Sequence, residues 1–141
     1  MCGSGADPTY VDGLHRESED LGVVWLERRV DVAPLMAAAD LLVLPSLVPE
    51  TQGMVVIEAM SCGIPVVASA VGGLPETLDG FTDQLVSPGD AGAVAAALDR
   101  LVDWRRCTPD LGADARRRAV ERFALADSVA AVAKVLDGAG R

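Results

Sequence analysis

Short unbroken apolar runs alternate along this chain with stretches in which apolar residues recur at helical spacing. The runs are Val23-Val24-Trp25-Leu26, Leu41-Leu42-Val43-Leu44, Val66-Val67-Ala68 and, more weakly, Gln84-Leu85-Val86. A strand with one wet face alternates apolar with polar residues. These runs do not, which predicts strands covered on both faces. Between them the spacing predicts helices over Tyr10–Leu21, over Val32–Ala39 behind an N-cap at Asp31, over Gly53–Ser61, and over Ala91–Trp104 behind Asp90. Gly22 closes the first helix, and Gly63 followed by Pro65 closes the third. From Asp110 onward the pattern is helical throughout. Strand and helix in alternation predict an α/β fold on a parallel sheet.

Composition narrows this picture. The chain has 141 residues, half of them hydrophobic, which is one domain's worth with a sizeable core. The organisation predicted is a single domain over residues 1–141 with a C-terminal helical segment from about Asp110. Net charge is −9, and Lys134 is the only lysine, so a nucleic-acid backbone would be repelled and no nucleic-acid partner is expected. The three cysteines, Cys2, Cys62 and Cys107, show no metal-ligand spacing, and His15 is the only histidine. That argues against a disulfide framework and against a zinc site. Cys62, at the end of a predicted helix, reads as a small apolar core residue. No charged and apolar leader opens the chain, and the longest apolar stretch, Leu35 to Leu44, is interrupted by Asp40 and too short to span a bilayer. No transmembrane segment is expected, and a reduced, cytoplasmic setting is. Internal repeats and low-complexity linkers are absent. The cluster Arg116-Arg117-Arg118 with Arg122 is flanked by Asp114 and Glu121 and reads as a solvated helix face. Arg105-Arg106 lies near a predicted helix end, where cations suit the dipole.

The candidate chemistry is concentrated in Pro49 to Ser69. Glu50 and Glu58 stand on either side of a helix start near Gly53. Helix N-termini present unpaired N–H groups and the positive end of a dipole, which suits phosphate. With phosphates at the helix tip, a carboxylate inside the helix and another just outside it could each accept from sugar hydroxyls, an arrangement that would hold a nucleotide-sugar. Two glutamates at this spacing are common, and alone they say nothing. Their place at the C-terminal edge of a parallel sheet, after a strand ending near Pro45-Ser46, is where ligands of such sheets bind.

Met54 to Ser69, reading MVVIEAMSCGIPVVAS, and Val71-Gly72-Gly73-Leu74-Pro75-Glu76 resemble the two-glutamate element of retaining glycosyltransferases with the GT-B fold, in particular family 4, the glycosyl transferases group 1. The resemblance extends weakly from Gly3 to about Ala133 and corresponds to the later part of that family's C-terminal, donor-binding half. It implies a Rossmann-like parallel sheet with flanking helices, incomplete at the N-terminus. In the family a strand, a helix and most of a second strand come first in this domain, and a whole N-terminal domain with the acceptor site precedes those. It implies that Glu58 accepts from the nucleotide ribose and that Glu50 serves the transferred sugar as the catalytic carboxylate. Backbone N–H groups of Gly53, Met54 and Val55 would meet the diphosphate. Gly53 would lack a side chain so that phosphate or sugar can approach. Gly72 and Gly73 either bring backbone to the donor or form an ordinary strand-to-helix turn, with the two readings level. The substrate would be a UDP-, GDP- or ADP-sugar, with no metal and no other cofactor.

The match has departures. The family more often has Pro-Phe or Gly-Phe between the first glutamate and the glycine, where this chain has Thr51-Gln52, which bears on sugar selectivity. Gly3-Ser4-Gly5 lacks the third glycine of a phosphate loop. Arg28-Arg29-Val30 falls where relatives bring backbone near the base, and reads as two surface arginines. The family's Arg and Lys that neutralise the departing diphosphate have no counterpart in the matching region. The parent reaction implied is hexosyl transfer with retention, by departure and attack on one face without a protein-bound intermediate. Little or no transfer is expected of this chain alone, which would need the N-terminal domain or a partner chain. The alternative is a non-catalytic nucleotide-binding or protein-interaction module completed by a partner. A GT-B-like epimerase would require acids and histidines that His15 does not supply, while glycogen and sucrose synthases share the two-glutamate element.

Overall fold

The computed structural model describes residues 7–139, and contacts within it gather the chain into two units, Met1–Val32 and Ala33–Arg141. The glycines at positions 3 and 5 and Cys2 lie outside the described residues.

In the first unit, Asp7 holds an extended backbone and its carboxylate accepts from the N–H groups of Thr9 and Tyr10 at 2.9 and 3.4 Å. With Pro8 in the first turn, this starts helix α1 at Pro8 (Pro8–Ser18), ahead of the predicted Tyr10. The helix also stops earlier than predicted. Leu21 N–H reaches only to Ser18 O, three residues back, and Gly22 turns the chain at φ 67°. Trp25 stacks on His15 with ring centroids 4.1 Å apart and donates its indole N–H to Ser18 Oγ at 2.9 Å. The strand predicted over Val23–Leu26 does not form: only Leu26 makes a single bridge, and Val23 and Val24 are exposed.

The second unit carries the sheet. Strands β1 (Leu42–Leu44), β2 (Val66–Ser69) and β3 (Leu85–Val86) run parallel in the order β1-β2-β3, with Leu42 opposite Val66 and Ala68 opposite Leu85. Helix α2 (Ala33–Ala38) precedes β1, and α3 (Met54–Ser61) links β1 to β2. After β2 come the short α4 (Leu74–Thr77) and a 3₁₀ turn, Thr82–Gln84, leading to β3. The α/β class with a parallel sheet is as predicted. Every residue of β2 is buried, and both α3 and α5 (Ala91–Leu101) pack against it, which accounts for its unbroken apolar text. Val67, Val86, Ala97 and Leu101 form one core cluster. Val56, Ile57, Ala59 and Met60 bury the inner side of α3, and each large side chain so buried contributes about 1.5–3 kcal/mol.

Two caps stand at their predicted places, Asp90 and Gly63. Asp90 accepts from Ala93 N–H at 2.8 Å to start α5. At the end of α3, Gly63 N–H donates to Met60 O and Ile64 N–H to Ala59 O, the paired bonds of a Schellman turn. The helix predicted to reach Trp104 ends instead at Leu101. Trp104 opens a separate short helix, α6 (Trp104–Cys107), where its buried indole donates to Asp40 O at 2.8 Å. The helical run from Asp110 is also divided. Helix α7 (Asp110–Phe123) stops at Ala124, whose ψ of 130° is extended, and α8 (Leu125–Ala139) follows with no buried residue.

The arginine cluster is more than a wetted face. Arg116 donates to Ser61 O, Arg117 pairs with Asp114, and Arg118 reaches Asp79. Arg105 pairs with Asp40 while lying over the Trp104 ring at 4.5 Å. Among the described residues no helix is long and apolar enough to cross a membrane.

Candidate functional site

Because the three strands are parallel, the segments that leave their C-terminal ends emerge on one edge of the sheet. Two of them bear on the predicted site: residues 45–53 after β1 and residues 70–73 after β2. The first carries Ser46 and Glu50 and ends at Gly53, the residue before α3.

Gly53 is buried at φ 67° and ψ 63°, a left-handed conformation that side chains disfavour. A Cβ there would also run into the Cδ2 of Leu74. The glycine is therefore required by backbone and by packing, independently of any ligand. No side chain caps α3. Its helical ladder begins with Val56 N–H donating to Gly53 O at 2.8 Å, and among the described residues the N–H groups of Gly53, Met54 and Val55 take no partner. Unpaired N–H groups at the tip of a helix favour an anion.

The loop that carries Glu50 is held from behind by the segment after β2. Gly73 N–H donates to Glu50 O at 2.8 Å. Thr77 Oγ1, in a buried side chain, lies 2.8 Å from Gln52 O and 3.1 Å from Gly73 O. Gly72, at φ 55°, and Gly73 sit so close that a Cβ on either would occupy the backbone of Glu50 or Thr51. This pair thus brings backbone onto backbone, a contact that neither of the two predicted readings included. At the other end of the Glu50 side chain, Ser46 Oγ donates to Glu50 Oε1 at 2.9 Å. Sequence reasoning missed Ser46, Leu74 and Thr77 as parts of this arrangement. The one signal available was a hydroxyl residue four positions before the first glutamate.

Glu50 is half-buried, whereas Glu58 and Met54 are exposed on α3. The Glu58 carboxylate has no hydrogen bond or ion pair among the described residues. The structure accordingly places one carboxylate before a helix tip, one on the helix itself, and open N–H donors at the tip between them. Open N–H groups can donate to an anion, and each carboxylate can accept from hydroxyls. Among the described residues no group of three or more His, Cys, Asp or Glu could hold a metal ion. Cys62, at the end of α3, is a half-buried free thiol, and Cys107 is an exposed one. Arg28 and Arg29 are exposed. A hollow of about 400 Å³ beside α1, lined by His15, Arg16, Ser18, Glu19, Val23 and Trp25, includes none of the site residues.

Known proteins share both this text and this fold. The family profile described as "Glycosyl transferases group 1" matches residues 1–103. The D-inositol 3-phosphate glycosyltransferases of Mycobacterium tuberculosis H37Rv and Mycobacterium bovis BCG Pasteur are 41% identical over 128 residues, covering 86% of this chain and 26% of theirs. The chain thus spans about a quarter of the length of the curated relatives it matches. Among solved structures, Anabaena HepE in complex with UDP superposes with a TM-score of 0.88 at 31% identity, over 97% of this chain and 40% of that one. The same protein in complex with UDP-glucose gives 0.87 at 32%, again over 97% and 40%. The sucrose-phosphate synthase of Thermosynechococcus elongatus gives 0.79 at 33%, over 97% and 38%.

Proposed function

The chain belongs to the glycosyl transferases group 1 family, and from that premise we propose that residues 1–141 act as one donor-binding domain for a nucleoside-diphosphate sugar. The observation that carries this reading is the tip of α3, where three backbone N–H groups stand open between Glu50 and Glu58. The diphosphate lies against the N–H groups of Gly53, Met54 and Val55, with the dipole of α3 behind them. Glu58, exposed and without a protein partner, accepts from the ribose hydroxyls. Glu50, on the opposite side of the tip, accepts from the sugar to be transferred and is the catalytic carboxylate of the complete reaction. Gly72 and Gly73 serve the donor by holding the Glu50 backbone in place. UDP is the nucleotide that the HepE structures support. The phosphates rest on backbone donors, so no metal has a role in this reading.

The complete reaction we propose is transfer of a hexosyl group, with retention, to an acceptor bound on another domain or chain. Binding of the donor is the activity assigned to this chain by itself. A second protein surface is favoured by α8, whose Leu125, Val129, Val132 and Leu136 are all largely exposed. A reduced, cytoplasmic setting fits the free thiols of Cys62 and Cys107.

Thermal unfolding with UDP tests the donor site. A ligand at about a hundred times its Kd adds about 2.7 kcal/mol to the folded state and raises the midpoint. Wild type is expected to show this rise, and Glu58→Ala to lose most of it, because the variant removes a charged acceptor of two hydroxyls. A wild-type transition unmoved by UDP at millimolar concentration would refute the reading.

A further inference from the structure

We propose that Ser46 is a positioning residue that presets the Glu50 carboxylate for the donor sugar, and thereby sets how far the chain prefers a nucleotide-sugar over the bare nucleotide. The inference rests on the donor-site reading above and deepens it.

A glutamate on a loop has several rotatable bonds, and holding it ready for a sugar costs conformational entropy unless something fixes it beforehand. Glu50 is fixed at both ends. Its main chain is anchored by Gly73 N–H, which donates to Glu50 O at 2.8 Å. Its carboxylate is anchored by Ser46, whose Oγ donates to Oε1 at 2.9 Å. Ser46 follows β1 by two residues and is half-buried, at the start of the segment that carries Glu50, so its hydroxyl is held close to the end of the strand. A bond from a hydroxyl to an ionised carboxylate is stronger than a neutral one. With Oε1 engaged, Oε2 has no partner among the described residues and is the oxygen left to accept from a sugar hydroxyl.

Glu58 has no such restraint. It stands exposed on α3, held only by the helix. The two carboxylates therefore differ: the sugar-side group is preorganised by a second side chain, and the ribose-side group is not. A change at Ser46 should be felt by the part of the ligand that UDP-glucose has and UDP lacks.

Calorimetric titration of the full chain with UDP and with UDP-glucose, for wild type, Ser46→Ala and Ser46→Thr, tests this. Ser46→Ala is expected to weaken UDP-glucose about ten-fold and to leave UDP within about two-fold, while Ser46→Thr, which keeps the hydroxyl, restores the wild-type ratio. If Ser46→Ala leaves the ratio unchanged, weakens both ligands equally, or is not rescued by threonine, the positioning role is overturned while the donor site stands. If wild type binds neither ligand, the donor-site reading fails and takes this inference with it.

Discussion

Gly72 meets two demands that no other residue type meets together. Its φ of 55° lies in the left-handed region, and the space where a Cβ would point is filled by the backbone of Glu50. Gly72→Ala is expected to cost about 2–4 kcal/mol, through strain and overpacking. Denaturant titration would read it as a lower midpoint at unchanged slope, and the displaced Glu50 loop would weaken UDP-glucose more than UDP. A variant as stable as wild type would mean that the two loops do not touch as described. The sequence announced that glycines mattered here, but not why. A Gly-Gly pair says that backbone must pass close to something; the fold shows the backbone of Glu50 and Thr51 where their β-carbons would stand. The same holds for Gly53, whose partner in the fold is the Leu74 side chain.

At the scale of elements, local signals were legible where chemistry is local. Asp90 and Gly63 mark the ends of α5 and α3 because their capping partners lie within a few residues. Asp7-Pro8 was an equally local start signal for α1. What could not be read depended on distant partners. Val23–Leu26 looked like β2 but makes only the single bridge at Leu26, and the α5–α6 break accompanies the bond from Trp104 to Asp40. Ala124, with no glycine or proline beside it, gave no warning of the turn between α7 and α8. Gln84 shows how a side chain can extend a ladder. Fully buried, it accepts the first N–H of β2, from Val66, at 2.9 Å through Oε1, just before β3 begins. Gln84→Leu leaves that N–H buried and unpaired, which costs about 1–3 kcal/mol. Thermal unfolding should show the loss, and Gln84→Glu, which keeps an acceptor oxygen, should retain the Val66 bond at neutral pH.

For the whole molecule, stability is uneven. Helix α3 and strand β2 are the buried centre, whereas α8 has no buried residue. Amide hydrogen exchange of the isolated chain is expected to proceed about a hundred-fold faster in α8 than in α3, since opening a helix without tertiary cover costs little. Equal protection would show that α8 is covered in solution by another copy. The net charge of −9 arises on a chain whose arginines at 105, 106, 117 and 118 already face aspartates, so those cations neutralise neighbours rather than the tip of α3. The two tryptophans divide between the two units: Trp25, half-buried on the His15 ring, belongs to Met1–Val32, and Trp104, buried, belongs to Ala33–Arg141. Each unit thus carries its own indole, and replacing either by phenylalanine leaves a chain whose tryptophan emission, excited selectively beyond the absorption of Tyr10, reports on the other unit alone.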